Sequence, residues 1–384
     1  MRIAIEATTV LAVSSGINVY IARSLEHLFN LDRDNQYILY VHRNSALRAF
    51  EGRYSNVSLR LFEGRRRTTW IQVSLPYLLR QEGAELLHST SFVMPLFPRV
   101  PAVLTVYDLT TSFFPQNFVL KHRIVFGSFV PLSIRKADHI VAISESTKRD
   151  IVEHFKIPDD RITVVHGAAE DRFRQPADPA RIAAVREKYR LPERYILFVG
   201  VIEPRKNVPG LLEAFASIAQ RIPHHLVVAG GLGWKYDSVF ATVRRLGLGE
   251  RAVFPGFIAD EDLVPLYQGA ELFVYPSFYE GFGLPVLEAM SCGVPVVTSN
   301  LSSLPEVTGN AAELVDPQDI GQIAEAMHRV LTDEVRRRRM VQEGMARAAG
   351  YSWDTAARTL LGVYRSVGGV SRGASGGHST PIGV

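Results

Sequence analysis

Apolar residues follow two rhythms along this chain. One is the short, nearly continuous run, rich in β-branched residues and bounded by turn formers. The first half carries "RIAIEA", "YILYVH", "VSLRLF", "ELLHST", "AVLTVYD", "HIVAIS" and "ITVVHG"; the second carries "YILFVGV", "HLVVAGG", "AVFPGF", "LFVYPS", "PVVTSN" and "AAELVD". Such runs barely alternate, which predicts parallel strands buried on both faces. The other rhythm places apolar residues every three or four positions, as in "VPGLLEAFASIAQRI", and predicts amphipathic helices between most of the strands. Strand and helix taking turns from start to near the end is the pattern of two doubly wound α/β domains.

A polar, Pro-containing stretch, "EDRFRQPADPARIA", interrupts the pattern between Gly167 and Ala183 and sets the expected boundary. The expected organisation is a first domain over 1–173, a second over 174–350, a helix over 351–366 packing back toward the first, and a flexible tail over 367–384. That tail, "GGVSRGASGGHSTPIGV", is too polar and glycine-rich to fold alone. A length of 384 residues fits two domains, and 47% hydrophobic with 21% charged residues is a globular balance. The lone Cys292 rules out an internal disulfide, fits a reducing compartment, and reads as a small packed residue. A net charge of +4 points only weakly to anionic partners, and the arginines of "EVRRRRM" read as a solvated helix face. "MRIAIEA" reads directly as a first strand, and no uncharged run approaches the ~20 residues of a spanning helix. The expectation is a cytoplasmic protein touching a membrane, if at all, from the inner face; nucleic acid is not expected as a partner.

Open parallel sheets bind ligands beyond the carboxyl ends of their strands, so chemistry belongs in the strand-to-helix loops. After the first strand, Ser15, Gly16 and Ile17 open a helix whose free N–H groups suit a phosphate, and the absence of G-x-G-x-x-G there argues against a nicotinamide dinucleotide. After the first strand of the second domain, Arg205 and Lys206 are two adjacent cations placed to clamp a diphosphate. In "SFYEGFGLPVLEAM", Glu280 stands in a loop and Glu288 about one turn into a helix that Pro285 helps to start. The helix start between the two carboxylates offers N–H groups and a positive dipole end.

"EGFGLPVLE" resembles the E-x7-E motif of retaining glycosyltransferase family 4, which has the GT-B fold of two Rossmann-like domains facing across a cleft. "AISESTKRDI", "VGVIEPRKN", "VFPGFIADEDLVPLY" and "YSWDTAARTLLGVY" follow the same pattern, and the nearest likeness is to bacterial mannosyltransferases of surface polysaccharides. The resemblance implies roles. Glu280 would bind donor-sugar hydroxyls and Glu288 the ribose. Arg205, Lys206 and the amides near Gly16 would hold the diphosphate, supported by Phe282, Gly283 and Leu284. The base would lie near Phe257 and Ile258. It further implies a nucleotide-diphosphate sugar such as GDP-mannose as donor, a lipid-linked glycan as acceptor, retention of configuration, and neither cofactor nor metal.

Two positions depart from the family. Val201 stands where an arginine is common, leaving the diphosphate to Arg205 and Lys206. Tyr107, followed by Asp108, stands where a histidine usually meets the sugar; its bulk would restrict the sugar pocket and favour a sugar less bulky at C6, such as a 6-deoxyhexose, with mannose admitted if the ring swings aside. Asp32 and Asp34 in "LDRDN" have the D-x-D spacing of metal-dependent transferases, but they fall at the amino end of a strand and read as a solvated turn. On the acceptor side, Arg65, Arg66 and Arg67 precede Trp70, and "SFFPQNFVLKHRIVFGSF" mixes basic and aromatic residues in the same way. Both stretches suit either an anionic membrane surface or ordinary amphipathic helices. The rival functions are a GT-B sugar-nucleotide 2-epimerase and a non-catalytic sugar-nucleotide-binding partner of another transferase.

Overall fold

A computed structural model describes residues 1–11, 16–64, 66–114 and 120–374. The chain divides into two compact units, Met1–Gly167 with Trp353 onward, and Ala168–Ser352.

The first unit is built on a seven-stranded sheet in the order β3-β2-β1-β4-β5-β6-β7. Its strands are β1 (Arg2–Glu6), β2 (Gln36–His42), β3 (Val57–Phe62), β4 (Leu86–Ser89), β5 (Ala102–Val106), β6 (His139–Ala142) and β7 (Ile162–Val164). All pairings are parallel, with β1 held between β2 and β4. The second unit has a six-stranded parallel sheet in the order β10-β9-β8-β11-β12-β13. These strands are β8 (Tyr195–Val199), β9 (His225–Ala229), β10 (Ala252–Gly256), β11 (Leu272–Tyr275), β12 (Val296–Ser299) and β13 (Glu313–Val315).

Burial follows the hydrophobic runs. Central strands β4, β5 and β11 are buried at every residue, whereas the edge strands β3, β7, β10 and β13 are partly open. Every strand expected from the sequence is present, because a parallel strand covered on both faces must be apolar throughout. In each sheet the strand order reverses once, between β1 and β4 in the first and between β8 and β11 in the second. That reversal opens a crevice at the carboxyl ends of the two central strands.

The last helix, Trp353–Ala374, belongs to the first unit and runs past Ser366, where the sequence pattern placed its end. Glycine lowers helix propensity by about 1 kcal/mol but does not forbid a helix that packs along an apolar face. This one does pack: Trp353 meets Tyr20 edge-on at 5.6 Å, and Asp354 pairs with His27 at 2.7 Å. Farther along, the hydroxyl of Tyr364 and Nδ1 of buried His88 lie 2.7 Å apart, with His88 Nε2 2.8 Å from Thr105 Oγ1. Burial pushes the His88 imidazole down to about 3, so it is neutral. The final ten residues of the expected tail lie outside the described residues.

One smaller expectation needs amending. Asp32 is buried rather than solvated: it accepts from Asn35 Nδ2 at 2.7 Å and from the Tyr37 hydroxyl, and so pins the turn before β2. The arginines of "EVRRRRM" lie on a helix, Glu334–Ala349, as expected, with Arg336, Arg338 and Arg339 exposed and paired at the surface with Glu313, Glu334 and Glu343.

Candidate functional site

The loop after β8 and the loop after β11 both end at the strand reversal of the second sheet, and they meet there. A single turn, Pro204–Lys206, follows β8, and Asn207 takes a left-handed conformation (φ 54°) before the helix Val208–Ile218 begins. This tight turn aims Arg205 and Lys206 at one carboxylate. Arg205 Nη1 donates to Glu280 at 2.9 Å, and Lys206 Nζ donates to its other oxygen at 2.6 Å. Arg205 also donates to Glu203 at 2.7 Å and to the Tyr279 carbonyl at 2.6 Å. Lys206 reaches the Tyr275 hydroxyl as well, and its ammonium lies 4.8 Å from that ring's centre.

Glu280 is 7% exposed. Burial alone would raise its carboxyl, but Arg205 and then Lys206 overcome that and hold it at about 2. Burial, reinforced by Arg205, lowers the Lys206 ammonium below its ordinary value, with Glu280 pulling the other way. The loop backbone is tied down by serines: Glu280 N–H donates to Ser302 Oγ, while Ser303 Oγ donates to the Glu280 and Phe282 carbonyls, each at 2.9 Å.

Glu288 sits in the helix Leu284–Ser291, as the spacing predicts, but apart from this cluster. It accepts from the Tyr267 hydroxyl at 2.9 Å. Part of the residue reaches solvent, yet its carboxyl lies deep enough for burial to push it up to about 7 against the pull of that hydrogen bond. Gly283 precedes the helix at φ 104°, and a Cβ there would lie 2.7 Å from Leu304 Cδ2, so both backbone and space require glycine. Leu284 is the first helical residue, and Phe282 is buried against Tyr351 at 5.6 Å. Beyond β10, Phe257 is 61% exposed while Ile258 is buried. Val201 is 47% exposed, so no cation stands at that position.

The first unit holds the remaining candidates. Gly16 opens the helix Gly16–Leu31 and is exposed, and an added Cβ would meet nothing within 4 Å. Ile17 is half-buried, and Ser15 lies outside the described residues. Asp108 accepts from Thr110 N–H at 2.9 Å, shaping the loop after β5.

Tyr107 is a correction. It is 2% exposed, set between Tyr20 and Phe92 at 5.5 and 5.2 Å, and its hydroxyl donates to the Thr90 carbonyl at 2.8 Å. Tyrosine's extra length carries the hydroxyl to a backbone acceptor after β4, so the ring is core and not a wall for a sugar. The arginine run also divides: Arg66 is exposed, Arg67 turns inward, and Arg65 lies outside the described residues. Arg67 pairs with wholly buried Glu6 at 3.0 Å, and Trp70 packs on Phe62 at 5.0 Å. In "SFFPQNFVLKHRIVFGSF", residues 115–119 lie outside the described residues, and 120–136 form a helix.

Sequence reasoning missed Glu203, Tyr275, Tyr267, Ser302 and Ser303. Glu203 in "IEPRK" stands two residues before Arg205 and could have been found as its neighbour; Tyr275 ends β11, Tyr267 lies in the helix Leu263–Gln268, and Ser302 and Ser303 lie in a turn, each with a partner distant along the chain. Among the described residues, no group of three or more His, Cys, Asp or Glu side chains could hold a metal, and no helix is long and apolar enough to cross a membrane.

Comparison with known proteins agrees with this layout. The model for glycosyl transferases group 1 matches residues 182–347, and that for glycosyltransferase family 4 matches residues 14–171. O-antigen chain mannosyltransferase B of Escherichia coli is 36% identical over 75% of this chain and 76% of its own length. The serotype-specific mannosyltransferase WbdA of Escherichia coli is 37% identical over 59% of this chain, but the match spans only 28% of that longer protein. Among solved structures, Anabaena Alr3699/HepE in complex with UDP and glucose aligns with a TM-score of 0.75 at 18% identity, covering 95% of this chain and 100% of the other. WaaG, a glycosyltransferase involved in lipopolysaccharide biosynthesis, aligns with a TM-score of 0.72 at 16% identity, covering 94% and 99%. The strand order, the loops at the two reversals and these similarities together place the chain among the GT-B glycosyltransferases of family 4.

Proposed function

We propose that this glycosyltransferase moves mannose, with retention of configuration and without a metal ion, from a nucleoside diphosphate sugar such as GDP-mannose to a lipid-linked or polysaccharide acceptor. The names of the relatives support mannose and a surface glycan, and favour transfer over epimerisation or a non-catalytic role. With Tyr107 in the core, its bulk gives no reason to prefer a 6-deoxyhexose.

One observation carries the mechanism. Glu280 is pinned by two cations and held at about 2, which makes it a poor base and fixes it as a hydrogen-bond acceptor. In the proposed reaction the bond from the sugar's anomeric carbon to the diphosphate oxygen breaks. The acceptor hydroxyl oxygen bonds to that carbon on the same face, and its proton passes to the departing phosphate. Such a step needs stabilisation of charge on the leaving group and no protein nucleophile. Arg205, Lys206 and the first amides of the helix Leu284–Ser291 supply donors for it, Glu280 receives the sugar hydroxyls, Glu288 the ribose, and exposed Phe257 the base. On the first unit, Val73, Tyr77 and Phe97 are 67%, 62% and 75% exposed beside Arg80, Arg99 and Lys136. That mixture suits peripheral contact with an anionic cytoplasmic leaflet.

The test is incubation of the purified protein with GDP-mannose and a mannose-terminated glycolipid, with and without chelator, and NMR assignment of the new linkage. An α-linked product formed equally in EDTA is expected. A β-linked product, or activity lost in EDTA and restored by magnesium or manganese, would refute the mechanism.

A further inference from the structure

Arg172 lies in a single turn, Asp171–Arg174, near the start of the second unit, and its side chain crosses to the loop after β10. Nη1 donates to the Asp260 carbonyl at 2.6 Å, while Nη2 donates to the Asp260 carboxylate at 2.7 Å and to Glu170 at 3.1 Å. A planar fork suits a backbone oxygen and two carboxylates held at once. The guanidinium also covers the ring of Phe173, 4.9 Å from its centre. Buried Phe173 meets Tyr267 edge-on at 6.0 Å, and the Tyr267 hydroxyl is the donor to Glu288. Arg172 is therefore tied directly to the loop that carries Phe257 and, through two rings, to Glu288.

The same loop has a second clasp. Ala259 N–H donates to the Tyr189 hydroxyl at 3.1 Å, and that hydroxyl donates to buried Asp262 at 2.9 Å. Asp262 also takes Lys188 at 2.6 Å and Arg181 at 3.2 Å. The clasp made by Arg172 is the one that bears on Glu288. Around the Glu288 carboxyl stand Tyr267 from the helix Leu263–Gln268, Arg172 and Glu170 from the turn, Asp260 from the loop, and Cys292 after its own helix. Burial keeps the Tyr267 hydroxyl and the Cys292 thiol protonated. Of the charged neighbours, Arg172 draws Glu288 toward its ionised form, while Glu170 and Asp260 oppose that. Arg172 Nε is buried with no acceptor among the described residues, an unmet donor of a kind that native proteins rarely keep.

We propose that Arg172 is a positioning residue for the nucleoside, holding the loop after β10 against the base and balancing the charge that Glu288 carries when it meets the ribose. This rests on the donor reading above. Its two effects depend on different properties of the side chain. Fork geometry decides where the loop sits, and lysine, a point charge on a flexible stem, cannot reproduce it. Charge alone decides how readily Glu288 ionises, and lysine can supply that.

The test titrates GDP and UDP calorimetrically into the full-length protein and into Arg172→Gln and Arg172→Lys. The range is about pH 5.5 to 9, across which Glu288 changes charge. Glu288→Gln, run alongside, marks the part of the pH response that belongs to the nucleotide's own phosphate. Arg172→Gln should move the midpoint of the affinity rise up by about one pH unit, since a nearby opposite charge lowers a carboxyl by at least that much. Arg172→Lys should restore the midpoint. At the alkaline end, where Glu288 is charged in every protein except Glu288→Gln, both Arg172 variants should bind the nucleotide about tenfold more weakly, as expected for lost charged hydrogen bonds. Simple damage would lower affinity at every pH and leave the midpoint in place. An unmoved midpoint in Arg172→Gln overturns the proposal, as does parent affinity in both variants at alkaline pH. If Arg172→Gln does not fold, Arg172→Lys decides alone: parent affinity at alkaline pH, or a displaced midpoint, overturns the proposal. Binding of UDP in place of GDP with this variant pattern would refute GDP-mannose as donor and leave Arg172 in its role. GDP binding with parent behaviour in both variants would refute Arg172 and leave the donor reading. Binding of neither nucleotide overturns both.

Discussion

Glu280→Gln removes one negative charge from a cluster in which two cations, Arg205 and Lys206, face two carboxylates, Glu203 and Glu280. The ordinary Glu280 carboxyl would titrate near 4.5, and in the folded protein it is held at about 2. A depressed folded value means that the stabilisation is fully present above the unfolded pKa and is lost as pH falls through the folded one. At neutral pH the difference corresponds to about 3 kcal/mol, at ~1.4 kcal/mol per unit. Glutamine keeps the shape but leaves Lys206, only 8% exposed, short of its counter-charge. Breaking a buried pair in this way costs ~3–5 kcal/mol. Hydrogen exchange in urea, read at amides of β8 and β11 in the second unit, should therefore show a loss of about 3 kcal/mol at pH 7.5. The same loss should shrink toward zero near pH 2.

The nucleotide response separates this account from simple damage. In the free protein a diphosphate must compete with Glu280 for Arg205 and Lys206. Taking Glu280 away should leave GDP affinity equal or stronger, and GDP should raise the melting temperature of the variant more than that of the parent. Transfer should still fall by a hundredfold or more, because the proposed partner of Glu280 is the sugar. A stability loss under about 1 kcal/mol would refute the electrostatic argument, being within the range of an exposed ion pair. A tenfold loss of GDP affinity would refute the assignment of Glu280 to the sugar.

Glu288, pushed up to about 7 by burial, should gain its charge as pH rises through that value. GDP affinity should strengthen between pH 6 and 8 and binding should release protons, and Glu288→Gln should weaken binding and reduce both effects in calorimetry run in buffers of different ionisation heat. Tyr364→Phe removes the partner of His88 Nδ1 and should cost the first unit ~1–3 kcal/mol in urea unfolding. A cost near zero would mean that the hydrogen bond does not fasten the last helix.

The strands were legible because each reports its own burial: an apolar run covered on both faces reads the same wherever its neighbours come from. The residue types of the second-unit site were legible for a related reason. Loops after β8 and β11 are short, and a Pro-Arg-Lys turn or a Gly-Leu-Pro helix start is a local feature. Partnership was harder to read. Arg205 and Glu280 are 75 residues apart, and Arg67 and Glu6 are 61 apart. Nothing local distinguishes Arg67, clamped inside, from exposed Arg66 beside it. Tyr107 failed differently: its position in the loop suggested a histidine's role, but side-chain length decided where the hydroxyl would find an acceptor.

Both sheets place arginine–carboxylate pairs at the reversal of strand order, and in both the charges nearly cancel before any ligand arrives. The net charge of +4 over the whole chain therefore says little about either site. A diphosphate entering the second unit gains mainly by exchange, taking over donors that Glu280 and Glu203 hold in the free state. Exchange should make donor binding steep in pH and salt. That dependence follows from which internal bonds the ligand must break, and the excess of basic residues does not enter into it.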